Sequence, residues 1–122
     1  MAPNIKNIVY MHPRMDATAG HIRAARSDIE MKIHPFKNPQ AETWTAVAGA
    51  HGYHVCSRVE LEEPWFPNAA LIKKAPKLLA VCSLGAGYDV IDVDACNAAG
   101  ILVCNQSGGN AEAVAEHAMG FM

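Results

Sequence analysis

Two glycine-containing segments of the chain have the residue types that bind small anions through the backbone. Residues 85–87, Gly-Ala-Gly, follow the most continuous apolar run of the sequence, and residues 107–110, Ser-Gly-Gly-Asn, follow the next one. Glycine lets a backbone approach a ligand closely and lets successive N–H groups converge on a negative charge. Ligands of α/β proteins bind where parallel strands end. If the two runs are neighbouring strands, both segments open on one edge, which favours a small-carboxylate site.

Each segment also has a purely structural interpretation. The first fits a tight turn, and it does not match the dinucleotide pattern Gly-x-Gly-x-x-Gly, because Val90 stands where the third glycine is required. Asp89 and Asp92 bring negative charge close to this turn, which disfavours a pyrophosphate more than a small carboxylate. In the second segment, Asn110 either caps the following helix or donates its side-chain amide to a ligand.

The remaining polar residues offer less specific chemistry. His12 and Arg14 follow the first apolar run and are either ligand contacts or an exposed loop pair. Ser83 does not fit the nucleophile pattern Gly-x-Ser-x-Gly, because Val81 replaces its first glycine. The four cysteines contain no Cys-x-x-Cys pair, so we expect reduced, buried thiols. No catalytic, cofactor-binding or metal-binding residue is assigned within the chain.

The elements that must position these segments alternate between strand-like and helix-like patterns. Apolar runs predict five strands, at 5–11, 29–34, 54–58, 78–83 and 101–104. Helices are expected at 17–26, 41–50, 67–74, 92–99 and from 110 onward. Asn38 is expected to cap the second helix, with Pro39 at its first position. Five such units predict an α/β fold, a flavodoxin-like doubly wound parallel five-stranded sheet in the order 2-1-3-4-5 with a C-terminal crossover helix.

The composition excludes several classes of protein. With 51% hydrophobic and 18% charged residues, the chain is not intrinsically disordered. A net charge of −2 without a basic block disfavours nucleic-acid binding. There is neither an apolar run long enough for a membrane span nor a secretory signal, so we expect a cytoplasmic protein without nucleic-acid or membrane partners.

The last helix carries an apolar stripe that nothing in the sequence covers. Its members are Ala111, Val114, Ala115, Ala118, Met119 and Met122. The chain ends within this helix, without a cap or a polar tail. We expect the chain to be truncated at this point, and the alternative is a partner that covers the stripe.

Two motifs give the chain a resemblance to a known family. They are Gly85-Ala86-Gly87-Tyr88-Asp89-Val90-Ile91-Asp92 and Asn110-Ala111-Glu112-Ala113-Val114-Ala115-Glu116. With them, residues 78–122 resemble the D-isomer-specific 2-hydroxyacid dehydrogenases, and residues 5–77 are compatible in the order of their elements. The resemblance implies a flavodoxin-like substrate domain over residues 1–109. Residues 110–122 would begin an inter-domain helix that leads to a dinucleotide-binding domain missing from this chain.

The resemblance also implies a substrate site and a reaction. The backbone N–H groups of Ala86 and Gly87 would hold the substrate carboxylate, and Asn110 would lie beside the substrate. Hydride transfer with NAD or NADP would interconvert D-2-hydroxy acids and 2-keto acids in a homodimer. The family's glycine-rich cofactor loop and its catalytic arginine, acidic residue and histidine would lie beyond Met122. The chain alone is therefore expected to be inactive and to bind no cofactor.

Two other functions are compatible with the same predicted fold. The chain could be a non-catalytic binding or dimerisation module that associates through Val114, Ala118, Met119 and Met122. A response-regulator-like domain fits least well, because His12-Pro13-Arg14 stand where an acidic cluster would end the first strand.

Overall fold

The computed structural model describes residues 4–122, which form one five-stranded sheet with helices on both faces. The strands are β1 (Lys6–Tyr10), β2 (Ile29–Ile33), β3 (Gly52–Val55), β4 (Ala80–Ser83) and β5 (Leu102–Cys104). A short 3-10 helix (Pro13–Met15) precedes the helices α1 (Asp16–Ala25), α2 (Gln40–Ala48), α3 (Ala69–Lys74), α4 (Val93–Ala98) and α5 (Ala111–Gly120). All strand pairs are parallel, in the order β2-β1-β3-β4-β5. The predicted α/β fold and strand order are confirmed.

The two faces of the sheet are covered unequally. The larger core joins one face to α2, α3 and α4, and it includes Val9, Val47, Tyr53, Leu71, Val81 and Cys96. On the other face, α1 packs over β1 and β2, and the smaller core there contains Tyr10, Met15, Ala19 and Met31. Over β5 this second face is open, and Leu102 is 63% exposed. None of the helices in residues 4–122 combines the length and apolarity needed to cross a membrane.

Helix α4 begins and ends close to the residues predicted from the sequence, whereas the cap of α2 is not the predicted residue. The Asp92 side chain accepts a hydrogen bond from the Ala95 N–H (2.9 Å), and Gly100 follows α4 with a φ of +71°. The predicted cap at Asn38 is wrong, because Pro39 takes the cap position of α2. The Pro39 carbonyl accepts the N–H groups of Glu42 and Thr43, at 3.1 and 3.3 Å. Proline serves there because its preset φ and missing N–H suit the start of a helix.

Strand β3 begins two residues before its predicted start. Gly52 pairs with Ile8 of β1 and with Ala80 of β4. A β-carbon at Gly52 would lie only 3.1 Å from Cγ1 of Ile8, so glycine permits this close approach of β1 and β3. Because β3 ends at Val55, the next residues are free to form a loop on the carboxyl edge of the sheet.

Candidate functional site

The two glycine-containing loops lie side by side at the carboxyl edge of β4 and β5. The strands are neighbours, with Cys82 opposite Cys104. The Gln106 N–H donates to the Gly85 carbonyl (2.8 Å), and Nδ2 of Asn105 donates to the Ala86 carbonyl (2.8 Å). These two hydrogen bonds join the loops directly. The prediction that both segments open on one edge is confirmed.

In the backbone of the first loop, the carbonyl groups are hydrogen-bonded within the described structure, whereas two N–H groups are not. Its carbonyls are held by the protein: those of Gly85 and Ala86 by the second loop, and that of Gly87 by a short bond from the Ser83 hydroxyl. Ala86 and Gly87 are exposed, and within residues 4–122 their N–H groups donate to no other group. Gly85 makes this turn with a φ of +116°, which favours glycine. Unpaired N–H groups next to fixed carbonyls can bind an anion.

Asn110 lies at the start of α5, and its side chain is not used as a cap. It is exposed and makes no capping hydrogen bond, while its carbonyl accepts the Val114 N–H (3.0 Å). Of the two alternatives for Asn110, side-chain capping is therefore wrong, and the side-chain amide is available to a ligand. In the described part of the chain, this amide makes no hydrogen bond to the glycine loop, so its role beside a substrate stays a prediction.

An ion pair beside the glycine loop was not evident from the sequence. Nε of Arg58 lies 2.7 Å from Oδ2 of Asp89, and a second guanidinium nitrogen donates to the Asp89 carbonyl (2.8 Å). This hydrogen bonding from Arg58 lowers the pKa of the Asp89 carboxyl. Arg58 follows β3 whereas Asp89 follows β4, and only the pairing of these strands brings them together. The negative charge that Asp89 places near the loop is thus compensated.

His12 and Arg14 are engaged by the loop that follows β3. Arg14 forms an ion pair with Glu60 (2.6 Å), and Nε2 of His12 lies 3.5 Å from the same carboxylate oxygen. The Ser57 hydroxyl donates to the other oxygen of Glu60 (2.9 Å), and this bond, with Arg14 and His12 nearby, lowers the pKa of Glu60. These contacts favour a loop pair over ligand contacts for His12 and Arg14. Among residues 4–122, no group of three metal-ligating side chains could hold a metal ion.

Characterised relatives match this chain over part of their own length. A D-3-phosphoglycerate dehydrogenase from Mycobacterium leprae is 42% identical over 55 residues, which are 45% of this chain and 10% of that protein. The structure of NAD+-bound 3-phosphoglycerate dehydrogenase from Entamoeba histolytica superposes with a TM-score of 0.71 and 25% identity, covering 95% of this chain and 37% of that one. The structure of D-lactate dehydrogenase from Aquifex aeolicus, complexed with NAD and lactic acid, superposes with a TM-score of 0.65 and 28% identity. It covers 92% of this chain and 31% of that one. The chain thus spans a small part of these proteins.

The family match covers nearly all of the described residues. The model of the D-isomer specific 2-hydroxyacid dehydrogenase catalytic domain matches residues 8–119. This range includes all but the first two residues of the sheet, both joined loops and most of α5. The motifs at residues 85–92 and 110–116 that carry the resemblance both lie within it. The chain belongs to the D-isomer specific 2-hydroxyacid dehydrogenase family, in the region of that family's catalytic domain.

Proposed function

We propose that this chain is the substrate-binding portion of an NAD- or NADP-dependent oxidoreductase that interconverts D-2-hydroxy acids and 2-keto acids. The N–H groups of Ala86 and Gly87 bind the substrate carboxylate, and Asn110 lies beside it. The observation that carries the proposal is the polarity of the glycine loop, whose carbonyls are held while these two N–H groups have no partner among residues 4–122. Membership of the family supports the same assignment.

The proposal extends to a larger assembly, which family membership supports. Residues 1–109 form the substrate domain, and residues 110–122 begin the helix that leads to a dinucleotide-binding domain. The complete enzyme is a cytoplasmic homodimer that holds NAD or NADP in the second domain. The exposed position of α5 is consistent with a helix that leaves the substrate domain, since none of its residues is buried.

The chain alone binds a carboxylate weakly. A hydrogen bond to a charged group contributes about 1.5–3 kcal/mol, so two such bonds give a gross stabilisation of roughly 3–6 kcal/mol. Ordering the acid on the protein offsets part of this, which leaves an expected dissociation constant of about 1 to 10 mM.

The chain alone does not carry out the redox reaction. The Asp89 carboxylate is paired with Arg58, and its pKa is lowered, so it cannot act as a proton donor near neutral pH. His12 lies against Glu60 rather than at the glycine loop. Without acid–base catalysis, about 10²- to 10⁴-fold in rate is lost. NADH oxidation by the purified chain with a 2-keto acid, above the rate without protein, would refute this part of the proposal.

The carboxylate site is tested by following backbone amides during a titration. In NMR spectra of the isotopically labelled chain, D-lactate should shift the amide signals of Ala86 and Gly87, whereas neutral lactamide should not. Ala86→Pro removes one of the two donors and should abolish the shift of the remaining Gly87 amide signal. Gly87→Ala is the matched control and should keep the response, because alanine retains the backbone N–H. Its β-carbon would meet only Oδ1 of Asp89, at an ordinary 3.6 Å. The proposal fails if D-lactate leaves both amide signals unchanged, or shifts them no more than lactamide does.

A second function is favoured by the surface of α5. Val114 and Met119 on its apolar stripe are 57% and 72% exposed, and such a stripe is a typical contact surface for another protein chain. In this alternative, the chain is a non-catalytic dimerisation module. Light scattering separates the two functions: a monomer at high micromolar concentration rules out dimerisation, whereas a dimer that Met119→Glu dissociates, with no carboxylate binding, supports it.

A further inference from the structure

Two of the four cysteines form a pair that no sequence spacing indicates. Cys82 of β4 and Cys104 of β5 are free thiols that lie directly opposite each other in the parallel ladder. Opposed residues of neighbouring strands point to the same face of the sheet, with their backbones about 4.8 Å apart. A disulfide spans Cα separations of roughly 4.4–6.8 Å. The backbone of β4 and β5 therefore permits a bond between these two sulfurs.

The pair lies on the open face of the sheet. Leu102 precedes Cys104 by two residues, so it points to the same face, and it is 63% exposed. The expectation of buried thiols is confirmed for Cys56 and Cys96, which belong to the larger core and are 3% and 0% exposed. It is wrong for Cys82 and Cys104, which are both partly exposed. A small reagent can reach the pair from this face, while packing shields the other two thiols.

We propose that Cys82 and Cys104 form a reversible intrachain disulfide in exchange with a low-molecular-weight disulfide such as oxidised glutathione. One protein thiol loses its proton and attacks a glutathione sulfur, which forms a mixed disulfide and releases one glutathione thiolate. The second protein thiol loses its proton and displaces the other glutathione. The protein pair is thereby oxidised, the glutathione disulfide is reduced, and the two released thiolates take up the two protons.

The surroundings of the pair make this exchange slow and the product easy to reduce. Burial, together with the adjacent Cys104, raises the pKa of the Cys82 thiol. On its other side Cys82 faces His54 of β3, whose pKa is lowered by burial, so no cation stabilises a thiolate there at neutral pH. A disulfide needs β-carbons roughly 3.5–4.5 Å apart, closer than the ladder spacing, and strained disulfides are the readily reduced ones.

Peptide mapping after incubation with oxidised glutathione tests the proposal. Residues 78–122 contain no lysine or arginine, so trypsin alone leaves Cys82, Cys96 and Cys104 in one peptide. Additional cleavage before Asp89 and Asp94 separates Cys82 from the other two. In a Cys96→Ser variant, a disulfide between these two peptides joins Cys82 to Cys104. We expect this crosslink in the monomer, with the loss of two hydrogen atoms in intact mass, and its disappearance on adding reduced glutathione.

Single substitutions give the controls. Cys56→Ser removes a thiol from the larger core and should leave the crosslink unchanged. Cys82→Ser should stop the reaction at a mixed disulfide between Cys104 and glutathione. If a variant does not fold, fragmentation of the crosslinked peptides from the unsubstituted chain still shows whether Cys82 is joined to Cys104 or to Cys96. Glutathione attached to one cysteine without a crosslink, a crosslink only between chains, or unreacted Cys82 and Cys104 at equilibrium would each overturn the proposal.

Discussion

Gly85→Ala tests whether the backbone of the glycine loop forms the candidate site. Gly85 has a φ of +116°, and no atom lies within 4 Å of the position that its β-carbon would take. The substitution therefore adds conformational strain without a clash, at a cost of roughly 1–3 kcal/mol in the free energy of unfolding. We expect the exposed loop to relieve this strain by relaxing toward a negative φ, which breaks the bond from the Gln106 N–H to the Gly85 carbonyl and turns the Ala86 N–H away.

The effect on ligand binding follows from the same geometry. Losing one hydrogen bond to a carboxylate costs about 1.5–3 kcal/mol, which weakens D-lactate binding roughly 10- to 100-fold. Gly100→Ala is the matched control, since Gly100 also has a positive φ (+71°) and open space around it, but lies at the end of α4. Urea unfolding should show destabilisation of both variants, and amide NMR should show weaker binding in Gly85→Ala alone. A destabilised Gly85→Ala that binds D-lactate as tightly as the unsubstituted chain would refute the reasoning.

Three further predictions concern charges and the core. Arg58→Met removes the partner of Asp89, so the lowered pKa of Asp89 should rise toward its ordinary value in an NMR titration; an unchanged pKa would contradict the ion pair. Burial lowers the pKa of His54, so as the pH falls the unfolded state binds a proton before the folded state does. Stability should therefore decrease as pH falls from about 7.5 to about 5, measured by urea unfolding, and this part of the loss should be absent in His54→Gln. Tyr53→Phe deletes the buried bond to the Trp65 carbonyl (2.8 Å) and should cost about 1–3 kcal/mol of unfolding free energy, whereas no loss would mean that water satisfies the carbonyl.

The features that could be predicted from the sequence are those that neighbouring residues determine. Asp92 caps α4, and Gly100 ends it, because a side-chain oxygen and a positive φ act within one helical turn. The parallel sheet follows from apolar runs alternating with helical segments. The boundaries were less predictable, as at Gly52, where the close approach to Ile8 extends β3 toward its N-terminus. That approach depends on the register of β3 against β1, with Gly52 opposite Ile8, and the local sequence does not contain this information.

The features that could not be predicted depend on strand pairing across the fold. Arg58 and Asp89 come from loops after different strands, so sequence reasoning counted Asp89 as an uncompensated charge. Cys82 and Cys104 look unrelated until β4 and β5 are paired in register. Neither pair has a sequence spacing that a local rule could recognise. The number of residues between the partners depends on the length of the helix and loops that connect their strands. The predicted strand order already makes these strands neighbours, but only their register would have brought the two pairs together.

The two proposals concern one stretch of the same ladder and can still be separated. Cys104 directly precedes Asn105, whose side chain holds the Ala86 carbonyl, so a bond that draws β5 toward β4 acts next to the contact joining the loops. If both proposals hold, the oxidised chain should bind D-lactate with a different affinity from the reduced chain, and Cys104→Ser should remove that difference. If the loop binds no carboxylate, the crosslink still forms, because its chemistry depends only on the two sulfurs. If the crosslink does not form, D-lactate still shifts the Ala86 amide, because that contact needs no thiol.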